Sequence, residues 1–260
     1  MKRGYLDFDW GQVHFRAAGD PDAALLLMLH QSPLSSRNYA AALPYLGQKF
    51  HTVAIDTPGF GGSDALPREW DVSDYANFVW DCADRLGAAR LHLFGRATGA
   101  VFAAEAAKLR PVAVERLILH GMPLYTDEER AQRMAAFAPP YDVTDDGGHL
   151  AWIWDRIHDE YPWIGADLAT HFTADFLAAG HDFATAYRSI WRHDLRTSLA
   201  EDVLPPTLLM GGGKDRIAFM HERVVAFLPK AQSVLLPDAT DFVAEQDPKR
   251  FSEILLDFAA

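Results

Sequence analysis

Residues 91–100 read Leu91-His92-Leu93-Phe94-Gly95-Arg96-Ala97-Thr98-Gly99-Ala100. A short apolar run leads into a pentapeptide bounded by glycines and then into an Ala-rich helical stretch. The plan is strand, sharp turn, helix, and glycine at both ends lets such a turn tighten without a Cβ in the way. Upstream, the same strand signature recurs at Tyr5–Trp10, Val13–Ala17, Ala24–Leu29 and Thr52–Ile55, and downstream at Leu117–Leu119. Helix-period stretches at Ser36–Leu46, Val72–Leu86 and Gly99–Leu109 lie between these runs. Alternation of this kind predicts a mostly parallel sheet joined by crossover helices. Only Gly11-Gln12 separates the first two runs, so they are expected to form an antiparallel hairpin at the sheet edge.

The alternation stops after His120. From Met122 to about Ala200 the patterns are helical, with Leu150, Ile153, Trp154, Ile157 and Tyr161 recurring near helical spacing. Strands resume at Thr207–Met210 and Ser233–Leu236, with helices near Ala218–Phe227 and Lys249–Ala259. The expected organisation is an α/β core of residues 1–121 and 201–260 with a helical cap inserted at 122–200.

The pentapeptide resembles the nucleophile elbow of the α/β-hydrolase superfamily, Gly-x-Ser-x-Gly on a strand-to-helix turn. Other segments extend the resemblance over nearly the whole chain. Leu29-His30-Gln31-Ser32-Pro33 is similar to the family's His-Gly-x-Pro loop, which supplies an oxyanion-hole amide, with Gln31 where glycine is usual. Asp56-Thr57-Pro58-Gly59-Phe60-Gly61-Gly62-Ser63-Asp64 resembles its Asp-x-x-Gly-x-Gly-x-Ser segment. Gly213-Lys214-Asp215-Arg216-Ile217 resembles the turn that carries the triad acid, and Thr240-Asp241-Phe242 with Pro248 the Gly-His-Phe segment and its later proline. The resemblance therefore implies an α/β-hydrolase fold in which only Asp215 keeps its triad identity. Ala97 stands at the nucleophile position and Asp241 at the histidine position. Alanine has no lone pair to attack a carbonyl, and a carboxylate does not replace the proton-shuttling imidazole within the same mechanism.

Other chemistry is still available to such a cleft. Asp215 and Asp241 crowded together would raise the pKa of one of them and make an acid/base pair; alternatively Asp241 faces solvent or pairs with an Arg or Lys. His30 and His120 end predicted strands on the ligand-binding edge, where either could be a general base; a motif histidine such as His30 more often holds its loop by hydrogen bonds. The backbone at Thr98 is expected to present an amide at a helix N-terminus, beside the Gln31-Ser32 loop. Arg96 reads as a solvated elbow side chain or a substrate clamp. Trp152 and Trp163, with His171, Phe172 and Phe176, enrich the insertion in aromatics, some of which are expected to roof a pocket.

Composition limits the partners. The 260 residues carry a net charge of −12, which repels phosphate backbones and anionic lipid headgroups. The longest apolar stretch, Ala23 to Leu29, is too short to span a bilayer, and the single Cys82 forms no internal disulfide. The expectations are a cytoplasmic monomer or homodimer with a small-molecule ligand, no nucleic-acid or membrane partner, no metal and no cofactor. Two functions fit: an enzyme acting on a small, largely apolar carbonyl or ester-like molecule without a Ser-His pair, or a non-catalytic small-molecule-binding pseudo-hydrolase.

Overall fold

The computed structural model describes residues 1–136, 142–199 and 204–259. Eight strands form one sheet in the order β1-β2-β4-β3-β5-β6-β7-β8. They are β1 (Lys2–Phe8), β2 (Gly11–Ala18), β3 (Leu25–Leu29), β4 (His51–Ile55), β5 (Leu91–Arg96), β6 (Val114–His120), β7 (Thr207–Gly212) and β8 (Gln232–Leu236). β1 and β2 pair antiparallel, β2 runs antiparallel to β4, and every later pairing is parallel.

The helices are α1 (Leu43–Leu46), α2 (Val72–Arg85), α3 (Thr98–Leu109), α4 (Asp127–Ala136), α5 (Gly148–Glu160), α6 (Ala166–Ala179), α7 (Thr185–Arg192), α8 (Leu195–Leu199), α9 (His221–Phe227), α10 (Val243–Gln246) and α11 (Pro248–Phe258). Strand β3 is apolar at every position because both faces are covered. Leu25, Leu27 and Leu29 pack with Leu93 and Leu119 on the side that carries α2 and α3. Leu26 and Met28 pack with Phe94 and Ile118 on the side that carries α1 and α11. α4 to α8 fall between β6 and β7, and the expected boundary at 200/201 lies outside the described residues.

Three local expectations change. The hairpin turn is Asp9-Trp10, because Phe8 pairs with Gly11; Gly11 is already in β2, where an added Cβ would meet Asp64 Oδ2 at 2.7 Å. The stretch Ser36–Leu46 splits into a 3-10 turn at Ser36–Tyr39 and the short α1, since Pro44 cannot sit inside a continuous helix but suits a first turn. Ala218–Phe227 likewise divides into a 3-10 turn, Ala218–Met220, and α9.

The elbow joins β5 to α3 through Ala97, which has φ 47° and ψ −111° and is the sole non-glycine residue with positive φ among the described residues. Its flanking glycines are required by contact: a Cβ on Gly95 would lie 2.2 Å from Gly99 O, and one on Gly99 2.6 Å from His30 O. A non-glycine residue in such a conformation stores roughly 1–3 kcal/mol of strain, and glycine costs about 0.5–1 kcal/mol of unfolded-state entropy. Ala97→Gly should therefore raise stability by about 1 kcal/mol, a Tm increase of roughly 2–4 °C by calorimetry. Gly95→Ala should lower stability by about 3 kcal/mol, and an unchanged or lower Tm for Ala97→Gly would refute the strain.

Candidate active site

The C-terminal ends of β5, β7 and β8 bring Arg96, Asp215 and Asp241 together beneath the elbow. Arg96 is 5% exposed, and its Nη2 lies 3.6 Å from Asp215 Oδ2 and 3.5 Å from Asp241 Oδ2. It is therefore not solvated; it is the buried counter-ion of the two carboxylates. Asp215 is fixed by its own turn, with Oδ1 accepting from Ile217 N at 2.9 Å. Asp241 Oδ1, Asp215 Oδ2 and Arg96 Nε are buried without hydrogen-bond partners.

Two carboxylates around one cation leave a negative excess in a poorly hydrated place. Burial pushes the Asp241 carboxyl up to about 6, against the pull of Arg96, and the Asp215 charge adds to the rise. Below them Glu245 accepts a hydrogen bond from Asn38 Nδ2, and burial raises its carboxyl to about 7.

Neither histidine offers a base to this cleft. His30 Nδ1 donates to Gln31 O at 2.9 Å and Nε2 accepts from Thr57 N at 2.9 Å, so its lone pair is spent on holding the loop. His120 shares the strand parity of Ile118, which turns its ring away from α3 to lie 6.4 Å from both Phe94 and Phe251. Burial, reinforced by the Arg96 charge, keeps it well below the usual histidine range and therefore neutral.

The loop amide meets a further constraint. Ser32 N donates to Thr98 Oγ1 at 2.8 Å, and that hydroxyl donates to Ser32 Oγ at 3.1 Å. The Ser32 amide is thus engaged by a side chain from the first turn of α3. Asp56 holds the same loop from below. Its Oδ2 accepts from Gly62 N at 2.8 Å and lies 2.8 Å from His14 Nδ1, while Oδ1 accepts from Ser36 N. Burial would raise the Asp56 carboxyl, but His14 and these amides hold it down to about 2.

Gln31, Arg96, Ala97, Thr98, Asp215, Arg216 and Asp241 line a small cavity of about 40 Å³ together with Tyr125, Tyr161 and Tyr187. Above it opens a cavity of about 750 Å³ walled by helices from 122–200, with Trp152, Phe172, Phe176, Trp191 and Phe219 among its lining. Tyr125, Tyr187 and Arg216 line both and so form the neck. Trp163 is not part of either wall; it packs 5.7 Å from Tyr161 and from Phe242. His171 lines a separate crevice with Asp175 and Glu245. No role followed from the sequence for Arg216, although it directly follows Asp215, nor for Tyr125, Tyr161 and Tyr187. Among the described residues no group of three or more His, Cys, Asp or Glu side chains could hold a metal, and no helix is long and apolar enough to cross a membrane.

A parallel sheet with this elbow, acid turn and inserted helices defines an α/β-hydrolase architecture. The chain belongs to the alpha/beta hydrolase family, whose profile matches residues 26–254. It is 24% identical over 95% of its length to a Stutzerimonas stutzeri protein whose name proposes it as a carbamate hydrolase, covering 97% of that protein. It is 26% identical to epoxide hydrolase 3 of Xenopus tropicalis, over 95% of this chain and 74% of that one. A hydrolase from Pseudomonas aeruginosa superposes with a TM-score of 0.80 at 22% identity, over 98% and 97% of the two chains.

The raised carboxyls give stability a definite pH dependence. Asp241 and Glu245 hold protons in the folded state that the unfolded chain releases near pH 4, so their contribution is complete below that pH and is lost as pH rises towards 6 and 7. Asp241→Asn mimics the protonated form. It should raise stability at pH 8 by on the order of 1–3 kcal/mol, a gain that disappears by pH 4. Denaturant titrations at both pH values check this, and a destabilised variant at pH 8 would contradict it.

Proposed function

We propose that this protein is an enzyme acting on a small, largely apolar carbonyl or ester-like molecule by acid/base chemistry, without a Ser-His nucleophile pair and without a covalent acyl intermediate. The observation that carries this is Asp241: a carboxyl that burial pushes up to about 6, held by Arg96 through Oδ2, in the wall of a cavity large enough for about one water. The Asp241 carboxylate accepts a proton from that water as its oxygen adds to the substrate carbonyl, then returns the proton to the leaving group. Arg96 and Asp215 are positioning residues, since they set the orientation and charge of Asp241. The substrate body occupies the larger cavity, and the helices of 122–200 act as a cap over the core of 1–121 and 201–260. Hydrolysis by activated water and C–C or C–O cleavage share this geometry, because each begins with proton removal by Asp241. The relatives' names, carbamate hydrolase and epoxide hydrolase, support turnover of a small molecule in this cleft.

Two observations favour non-catalytic binding instead. Ala97 offers no nucleophile, and the Ser32 amide is already engaged by Thr98. The two functions separate in one experiment. Small carbonyl and ester-like compounds are screened by thermal shift, and each hit is incubated with the protein in ¹⁸O-water and analysed by mass spectrometry. The enzyme should convert at least one hit, and Asp241→Asn should abolish conversion while changing affinity less than about threefold, because the carboxylate acts in the transition state. Hits recovered unchanged by the wild type would establish a binder.

A further inference from the structure

Addition of water to a carbonyl moves negative charge from Asp241 to the substrate oxygen, and something must receive that charge. The Ser32 amide is engaged by Thr98 Oγ1, and Arg96 is pinned between Asp215 and Asp241 on the floor of the cleft. Arg216 is placed differently. Among the described residues it is the one charged side chain that lines both the small cavity and the large one, so it stands at the neck where a carbonyl held above would meet a water held below.

The surroundings of Arg216 suit a donor that keeps its charge and can still turn to a ligand. Its side chain is 37% exposed, its guanidinium lies 5.2 Å from the Tyr161 ring centroid, and Nη1 pairs with Glu160 at the end of α5. Glu160 also accepts from Arg156 Nε at 3.1 Å, so one carboxylate is shared between two guanidinium groups. A guanidinium carries five N–H donors, and pairing through Nη1 leaves others for an oxygen in the neck.

We propose that Arg216 is a further catalytic residue of this site, the guanidinium that stabilises the oxyanion in place of an engaged loop amide. This rests on acid/base chemistry at Asp241. The charges balance: the Asp241 carboxylate, water and the carbonyl become a neutral Asp241 carboxyl and a tetrahedral alkoxide, whose negative charge faces Arg216. The groups that set the charge there are Glu160, Tyr161, Tyr187 and Asp241 around Arg216, and Arg96 and Asp215 around Asp241.

A stable tetrahedral anion tests the proposal without requiring turnover. Methyl phenylphosphonate serves as the oxyanion probe and benzamide as its neutral, planar counterpart, with both affinities measured by calorimetry. The wild type should bind the phosphonate more tightly than benzamide, and more tightly at pH 5 than at pH 8, because the anion is accepted best when Asp241 is protonated. Arg216→Gln should weaken the phosphonate at least tenfold and leave benzamide within twofold, while Arg216→Lys should retain part of the preference. A wild type that does not prefer the phosphonate would overturn the proposal, as would Arg216→Gln weakening both probes equally or neither. Arg216-dependent phosphonate binding in a protein that converts no compound would refute the enzymatic function while leaving Arg216 as an anion-recognising group.

Discussion

A guanidinium buried at 5% exposure cannot shed its proton, so the chain that folds around Arg96 must bring carboxylates to it. Those carboxylates come from the turn after β7 and the loop after β8, while the cation ends β5. One charge therefore ties the tips of three strands that are far apart in sequence, and it fixes the floor of the cleft. The pairing distances of 3.5 and 3.6 Å leave room between the groups, and unpartnered atoms remain on all three. The chemical character of the floor follows from that arrangement: two acids share one cation, and burial pushes the Asp241 carboxyl up to about 6.

A second anchor sets the rim. Asp56 gathers His14, Ser36 and Gly62, and the loop it steadies carries Ser32 to Thr98 and Ser35 to Asp175. Asp175 belongs to α6, so its hydrogen bond of 3.0 Å to Ser35 Oγ links an inserted helix to the sheet. Burial raises the Asp175 carboxyl to about 6 against the pull of Ser35. On the other flank, His193 Nε2 lies 2.8 Å from Glu105 Oε1, and Lys108 Nζ donates to Ser198 O, joining the end of the insertion to α3. Polar contacts thus position the inserted helices while Phe172, Phe176 and Phe183 bury their apolar side.

The fold was legible because its signals are local and periodic: apolar runs for strands, Gly95 and Gly99 for the elbow, and acid-bearing turns in the family's order. What failed locally failed where one residue outweighed a pattern, as Pro44 does in breaking the expected helix, or where a turn lacked its usual residues, as at Asp9-Trp10. The site was legible in part. Asp215 and Asp241 could be paired through the motifs, and His30 as a loop-holder followed from its motif position. The direction of His120 depends on strand parity, which needs an exact register, and the burial of Arg96 depends on neighbours 119 and 145 positions away. Arg216 lies inside the acid-turn motif without a role of its own there, since its meaning lies in two cavities that exist only once the chain is folded.

The elbow keeps its left-handed contour around a methyl group. That contour is held by the close approach of Gly95 to Gly99 and of Gly99 to the carbonyls of Leu29 and His30, none of which involves the side chain of residue 97. Shape and reactivity are therefore inherited separately at this point of the chain. A lineage can lose a nucleophile there, or gain one, through a single codon, without renegotiating the fold that surrounds it.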